Sequence, residues 1–172
     1  TPKPSSAASD VYKRQYMNRS EKLSELKNKF ADLIDLPWSG RRYPGCYDVI
    51  QKYFKKYHPD KRTLADFSEL KIYSFNQAAL DAENGVYAWK SAWGDMLDFE
   101  VIQEHDLMLY RVYTDPLIGG YSVPVDRAPN HGAIYLGDGF ILHQLYKETS
   151  EICDITHGSY SLYQTACVGG VR

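Results

Sequence analysis

The first regular pattern in the chain is an apolar stripe at helical spacing that follows Asn18. Asn18 with Glu21 three residues later resembles a capping box, in which two side chains satisfy the free backbone N–H groups at a helix start. The stripe consists of Leu23, Leu26, Phe30, Leu33 and Ile34. We therefore predict an amphipathic helix that begins near Asn18 and ends near Asp35.

A second apolar stripe follows the Gly- and Pro-rich residues 36–45. Its members are Val49, Ile50, Tyr53, Phe54 and Tyr57. Pro59 comes next, and the residue before a proline disfavours the helical conformation. The pattern predicts a second helix that begins beside Cys46 and ends before Pro59.

The second half of the chain has a different pattern. Residues 60–94 carry mixed helical signals, and we predict that this region is mostly helical. Beyond Gly94, short runs rich in β-branched, leucine and aromatic residues are separated by Gly, Pro and Asp, as is typical of strands. These runs are Phe99–Val101, Leu107–Tyr113, Gly132–Leu136, Phe140–Leu145 and Tyr163–Val171. Helices followed by strands predict an α+β fold, with a helical N-terminal half packed on an antiparallel sheet.

Composition places the chain among globular proteins. Of its 172 residues, 44% are apolar and 24% are charged, with 20 basic and 22 acidic side chains and a net charge of −2. Such a composition excludes a wholly disordered chain. The longest uncharged run, residues 155–171, contains too many polar side chains to span a bilayer. A slightly acidic chain with no basic face gives no reason to expect nucleic acid as a partner.

Residues 1–15 differ from the rest of the chain because they are rich in Pro and Ser and lack apolar periodicity. The segment Asp10–Gln15 also resembles the translation of an adapter used to prepare sequencing libraries. We therefore expect a disordered, non-native leader in residues 1–15 and a single domain in residues 16–172.

Cys46 lies where the irregular loop meets the first turn of the second predicted helix. Free N–H groups and the helix dipole at that point favour a thiolate, so Cys46 is a candidate nucleophile. The alternative is a buried cysteine that acts as a small hydrophobe. The spacing of Cys153, His157 and Cys167 does not predict a closed zinc site, and we expect no metal or cofactor.

Two histidines lie at matching distances from a predicted hairpin turn. His131 opens one predicted strand and His143 ends the next, and each is six residues from Gly137. A hairpin centred on Gly137 would place them directly opposite each other on one face. One imidazole could then contact the Cys46 thiol while the second orients the first ring. A register shift of one residue would separate them, and two histidines on a solvated face are the alternative.

These blocks resemble a known family. The segment Pro129–Leu145 is similar to the histidine hairpin of the NlpC-type cysteine peptidases, especially those of phage tail assembly proteins. The segment Gly45–Tyr57 resembles their nucleophile helix, Glu104–Val112 resembles the strand before the catalytic histidine, and Leu36–Gly45 resembles the preceding loop more loosely. The blocks run in the family's order, with the nucleophile before the histidine.

The resemblance implies a papain-like fold and a catalytic triad of Cys46, His131 and His143. It implies hydrolysis of peptide bonds in the peptidoglycan stem, with peptidoglycan and other phage tail proteins as partners. The implied location is the virion tail, or the host cytoplasm during assembly, with action at the host cell wall. The tyrosine that helps bind the oxyanion in this family is replaced by Ile34, which leaves Trp38 and Tyr43 as candidates for that role.

Two other functions remain open at this point. The chain could be a catalytically silent structural module of the phage tail tip that keeps the fold without turnover. It could also be an amidase or acyl transferase on a substrate other than peptidoglycan.

Overall fold

The computed structural model describes residues 18–39, 46–60, 85, 87–92, 94–111 and 131–172. The leader, the candidate Tyr43 and most of the region predicted as helical between residues 60 and 94 lie outside these ranges. The chain divides into two compact units, residues 1–32 and residues 33–172.

The described part of the first unit is helix α1, residues 18–29. The Phe30 N–H donates to the Leu26 carbonyl oxygen at 2.9 Å and closes the last turn. The helix is therefore shorter than the prediction, which extended it to Asp35. A positive φ of 58° at Asp35 is a left-handed conformation that an α-helix cannot contain.

Helix α2, Cys46–Tyr57, is the main helix described in the second unit. It begins at Cys46 and ends before Pro59, as the apolar stripe predicts. Four side chains of that stripe are fully buried: Val49, Ile50, Tyr53 and Phe54. The helix contacts two neighbouring strands, His131–Gly137 and Phe140–His143.

An antiparallel six-stranded sheet forms the rest of the second unit, in the order β1-β6-β2-β3-β4-β5. The strands are β1 Trp89–Lys90, β2 Leu107–Tyr110, β3 His131–Gly137, β4 Phe140–His143, β5 Glu151–Asp154 and β6 Cys167–Val171. A 3₁₀ turn, Gly158–Ser161, and a short helix α3, Leu162–Thr165, connect β5 to β6. The described residues thus form an α+β fold.

Three local predictions differ from this structure. Phe99–Val101 forms a turn because Asp98 accepts the Glu100 N–H through its side chain and the Val101 N–H through its carbonyl oxygen. The predicted strand Tyr163–Val171 is strand only from Cys167, after the helical turn of α3. Strands β1 and β5 were not predicted, because β1 has only two residues and β5 has a single apolar pair between two acidic residues.

The hairpin of β3 and β4 has a two-residue turn. Gly137 pairs with Phe140, which leaves Asp138 and Gly139 between the strands. Both have positive φ, 52° and 81°, the sign pattern of a type I′ turn. Glycine adopts this conformation without a steric cost, and aspartate tolerates it better than most residues do.

A β-bulge next to this turn determines which side chains share a face. The register changes between Tyr135 and Gly137, so Leu136 is an extra residue on β3. Beyond the bulge Tyr135 pairs with Ile141, and odd-numbered residues of β3 therefore lie opposite odd-numbered residues of β4. Without the extra residue, the two-residue turn would pair odd positions with even ones.

The strands have two buried faces. The histidine face carries His131, Ala133, Tyr135, Ile141, His143, Glu151 and Cys153. The helix face carries Gly132, Ile134, Leu142 and Ile152. Among the described residues, an apolar cluster covers the histidine face and does not include the buried side chains of α2. Because α2 nonetheless contacts β3 and β4, it covers the helix face.

Ser150 ties the segment before α2 to the end of the hairpin. Its hydroxyl donates to the Leu33 carbonyl oxygen at 2.7 Å and accepts the Leu36 N–H at 3.0 Å. The backbones of Ser150 and Leu36 also hydrogen bond, at 3.1 Å, and the Gln144 amide donates to the Leu36 carbonyl oxygen. Residues 33–36 are thereby fixed beside the residue that follows His143.

Candidate active site

The two imidazoles predicted to cooperate are in direct contact. His131 Nε2 and His143 Nδ1 are 3.0 Å apart, and both rings are buried. The predicted direct opposition is wrong, because the pairing of Tyr135 with Ile141 places His143 across from Ala133. The observed pairing differs from the predicted one by two residues. His131 and His143 therefore still share one face of the sheet, but they lie diagonally across from each other.

The hydrogen bonds continue from His143 into the next strand. His143 pairs across β4 and β5 with Glu151, and its Nε2 lies 2.9 Å from Glu151 Oε1. Tyr160 in the 3₁₀ turn donates its hydroxyl to Glu151 Oε2 at 2.9 Å. Sequence reasoning missed Glu151, because the apolar pair between Glu151 and Asp154 is too short to signal a strand. Its place beside His143 is visible only once β4 and β5 pair.

When both imidazoles are neutral, each hydrogen bond in this series has a defined donor and a defined acceptor. An ionised carboxylate only accepts hydrogen bonds, so His143 Nε2 carries a hydrogen and donates it to Glu151. His143 Nδ1 is then an acceptor, and His131 Nε2 is the donor to it. The lone pair of His131 is therefore on Nδ1, the ring nitrogen that can accept a proton from a nucleophile.

The surroundings of His131 keep it neutral. Burial, and to a smaller extent the neighbouring His143, lower the pKa of His131 well below its ordinary value of 6.5. The rings of Tyr110 and Tyr163 lie 6.1 and 6.5 Å from the His131 ring, centre to centre. A neutral imidazole is the form that a general base requires.

Cys46, the predicted nucleophile, is the first residue of α2 and is buried. Hydrogen bonds from the backbone N–H groups of Gly132 and Cys46 favour the thiolate, but the loss of solvent is the larger effect and raises the pKa of Cys46 to about 12. The sequence led us to expect a stabilised thiolate at this helix start. In the structure the thiol is neutral at pH 7 because burial outweighs the favourable backbone groups.

The position of Cys46 relative to the histidines follows from its contact with Gly132. Gly132 is on the helix face of β3, directly after His131. Cys46 thus lies at the end of β3 where His131 is located, but it approaches from the side of α2. Within the described residues, no hydrogen bond joins Cys46 Sγ to an imidazole nitrogen, whereas His131 and His143 are joined to each other.

The two candidates for the oxyanion role have different outcomes. Trp38 is half-buried and packs edge-to-face on Tyr146, with ring centres 5.3 Å apart, beside the connection between β4 and β5. Tyr43 lies outside the described residues.

One group of side chains on the histidine face has the chemistry of a metal site. A ligand atom from each of His143, Glu151 and Cys153 lies within 4.8 Å of the other two. Cys153 Sγ is 3.7 Å from His143 Nε2, the same nitrogen that contacts Glu151. Nitrogen, oxygen and sulfur donors together suit a borderline-soft divalent ion such as zinc.

Two further findings bear on function. Within the described parts of the chain, no helix has the length and apolar character needed to cross a bilayer. Comparison of the chain with models of protein families, with curated proteins and with solved structures finds no match.

Proposed function

We propose that this protein is a cysteine peptidase that hydrolyses peptide bonds in the stem of peptidoglycan, in association with a phage tail. The observation that carries the proposal is the hydrogen-bonded series of the buried His131 and His143 with the partly exposed Glu151, which leaves His131 Nδ1 as the basic nitrogen. Cys46 starts a helix beside the residue that follows His131. A nucleophile, a base and an orienting group are the parts that acyl-transfer catalysis requires.

In the proposed reaction, the Cys46 thiol proton passes to His131 Nδ1 while the sulfur forms a bond to the scissile carbonyl carbon. The tetrahedral intermediate collapses, the carbon–nitrogen bond breaks, and the leaving amine takes the proton from His131. Water then attacks the thioester with His131 as base, which releases the acid product and restores the thiol. His143 and Glu151 act as positioning residues because they fix the ring of His131.

The pKa shifts favour proton transfer during the attack over a pre-formed ion pair. Burial raises the pKa of Cys46 to about 12 and lowers the pKa of His131. Both groups are therefore neutral before substrate arrives. The proton must move as the carbon–sulfur bond forms, and hydrogen bonds at the helix start, including the Cys46 N–H, would then stabilise the oxyanion. Trp38 and Tyr43 remain the proposed second donors.

The family resemblance supplies the rest of the proposal. It supports a papain-like NlpC-type fold, peptidoglycan as substrate, other tail proteins as partners, and a location in the virion tail or the host cytoplasm during assembly. The α+β arrangement, in which α2 covers one face of an antiparallel sheet, is compatible with that fold.

A second candidate function is a catalytically silent module of the phage tail tip. The burial of Cys46 and the lack of a hydrogen bond from its sulfur to an imidazole nitrogen, among the described residues, favour this alternative. The two functions differ in whether the thiol reacts with substrate.

Purified protein incubated with bacterial sacculi tests the proposal. We expect release of stem-peptide fragments, detected by mass spectrometry, and a loss of at least about 10⁴-fold in rate for Cys46→Ala. Cys167→Ala is the matched control, since Cys167 is also buried but lies away from the histidine pair, and it should retain the rate. Activity that survives in Cys46→Ala would exclude this nucleophile, and wild-type protein that releases nothing would favour the silent module.

A further inference from the structure

The pairing of β4 and β5 brings three metal-ligating side chains together. His143 lies directly across from Glu151, and Cys153 is two residues further along β5 on the same face. Because side chains alternate along a strand, this spacing directs Glu151 and Cys153 to the same side as His143. The arrangement is set by the register of the sheet and does not depend on a flexible loop.

The distances among these atoms are close to those of a zinc site. Tetrahedral zinc with bonds of about 2.0–2.3 Å holds its ligand atoms roughly 3.3–3.8 Å apart. His143 Nε2 and Cys153 Sγ are already 3.7 Å apart, and His143 Nε2 and Glu151 Oε1 are 2.9 Å apart. All three ligand atoms lie within 4.8 Å of one another, so small side-chain rotations would complete three corners of a tetrahedron.

We propose that His143, Glu151 and Cys153 bind a zinc ion, and that this ion reversibly inhibits the enzyme by reversing the hydrogen bonds to His131. The inhibitory part rests on the proposed peptidase function, whereas the binding part does not. Three protein ligands leave a fourth position for water, as in exchangeable zinc sites. An ion can reach the site from the Glu151 side, because 36% of that side chain is exposed while His143 is fully buried.

The inhibition follows from the donor and acceptor pattern. A metal on His143 Nε2 requires the lone pair of that nitrogen, so the ring hydrogen moves to Nδ1. His143 Nδ1 then donates to His131 Nε2, and the hydrogen of His131 moves to its own Nδ1. Both rings stay neutral, and the proton lost overall is the Cys153 thiol proton, which passes to water. His131 Nδ1 now bears a hydrogen and cannot accept one from Cys46.

Cobalt is a suitable probe, because it takes the ligands of zinc and absorbs light strongly when a thiolate binds it. We expect Co²⁺ added to the purified, metal-free protein to give a thiolate-to-cobalt absorption band that Zn²⁺ abolishes and Mg²⁺ does not. Cys153→Ala should lose the band. Cys46→Ala and Cys167→Ala should keep it, which separates this site from the other two thiols.

Glu151→Gln provides a second variant on a partly exposed side chain, where the fold tolerates change more readily. It should weaken the binding of Zn²⁺ by about 100-fold or more, since even loss of a residue that only orients a ligand costs about 10–100-fold. Absence of the band in the wild type, or its persistence in Cys153→Ala, would overturn the site.

The sacculus assay then tests the regulation. In the presence of a chelator the wild type should release fragments, and saturating Zn²⁺ should slow release by about 100-fold or more, the contribution typical of a general base. The chelator should restore the rate. Wild-type protein that is inactive even with chelator would refute the peptidase, while the cobalt band still decides the site. An active enzyme that binds cobalt but is unaffected by zinc would refute the regulation alone.

Discussion

His131 and Cys46 are both almost completely buried, at 3% and 8% exposure, but different surroundings control their chemistry. The ring of His131 is held by His143, which is in turn held by Glu151. Burial dominates the pKa of the Cys46 thiol, and the backbone N–H groups of Gly132 and Cys46 hydrogen bond to it. The proposed base is thus oriented before substrate binds, whereas the proposed nucleophile is uncharged. A thiolate formed before substrate binding would need little help from a base. Because the Cys46 thiol is neutral, the proposed reaction depends strongly on His131 to remove its proton.

The largest expected effect comes from His131→Gln. Glutamine can still hydrogen bond to His143, but it cannot accept a proton at neutral pH. We expect the release of stem peptides to fall by at least about 10⁴-fold, as when a member of a catalytic triad is removed. His157→Gln changes an exposed histidine and serves as the control. A rate for His131→Gln within tenfold of the wild type would contradict the assignment of the base.

Thiol labelling tests the reactivity of Cys46. A pKa of about 12 leaves far less thiolate than the ordinary value of 9.0, so iodoacetamide should label Cys46 at pH 7.5 roughly 1000-fold more slowly than a free cysteine. Peptide mapping by mass spectrometry measures the rate at each thiol. Labelling of Cys46 as fast as that of a free thiol would show that burial does not control it.

The same labelling measurement in His131→Gln tests whether His131 affects the reactivity of Cys46. If His131 accepts the thiol proton, labelling of Cys46 should slow by a further tenfold or so, since general bases contribute at least that much. An unchanged rate would favour the silent tail-tip module.

Glu151→Gln tests the far end of the hydrogen-bonded series. A neutral amide can either donate to His143 Nε2 or accept from it, so it no longer fixes which nitrogen of each imidazole carries the hydrogen. We therefore expect a loss of about 10–100-fold in kcat/KM. Removing a negative charge near the imidazoles also lowers the pKa of the base, so the acidic limb of the rate profile should move to lower pH. Glu148→Gln alters an exposed glutamate in the preceding connection and should change neither quantity. Equal loss at every pH would indicate a structural role for Glu151.

The smallest effect expected is on acid stability. Because the pKa of His131 is lowered in the folded protein, the unfolded chain takes up a proton below about pH 6.5 that the folded protein does not. The free energy of unfolding should therefore fall as the pH drops below 6.5, by up to about 1.4 kcal/mol per pH unit for this group. Thermal unfolding at pH 7 and pH 5 measures it, and His131→Gln should show a smaller fall than the wild type. An equal fall in both proteins would assign the acid sensitivity to other groups.

Sequence patterns were sufficient for those parts of the site that depend on local periodicity. The apolar stripe after Cys46 indicated the start of α2, and the Gly-Asp-Gly motif indicated the hairpin of β3 and β4, although the bulge at Leu136 is what places His131 and His143 on one face. The pairing across the hairpin was predicted two residues out of register, because the number of turn residues and the bulge at Leu136 are not encoded in any spacing.

Other features of the site could not be predicted because they depend on contacts between distant segments. Glu151 reaches His143 through the pairing of β5 with β4, and the single apolar pair of β5 is too short to indicate a strand. The raised pKa of Cys46 depends on how completely the folded chain excludes water, which local sequence does not report. The apolar periodicity thus predicted where α2 begins, but it did not predict how completely Cys46 is buried there.

The extra residue at Leu136 also restricts how this hairpin can change in length. Inserting or deleting one residue within the paired part of β3 or β4, between a histidine and the turn, would move one of the two rings through the sheet to the side of α2 if the turn and the bulge keep their places. Changes of two residues would keep both rings on their present side. In functional variants of this hairpin, the strand segments between each histidine and the turn should therefore differ in length by even numbers, whereas the turn itself can change length without moving either ring.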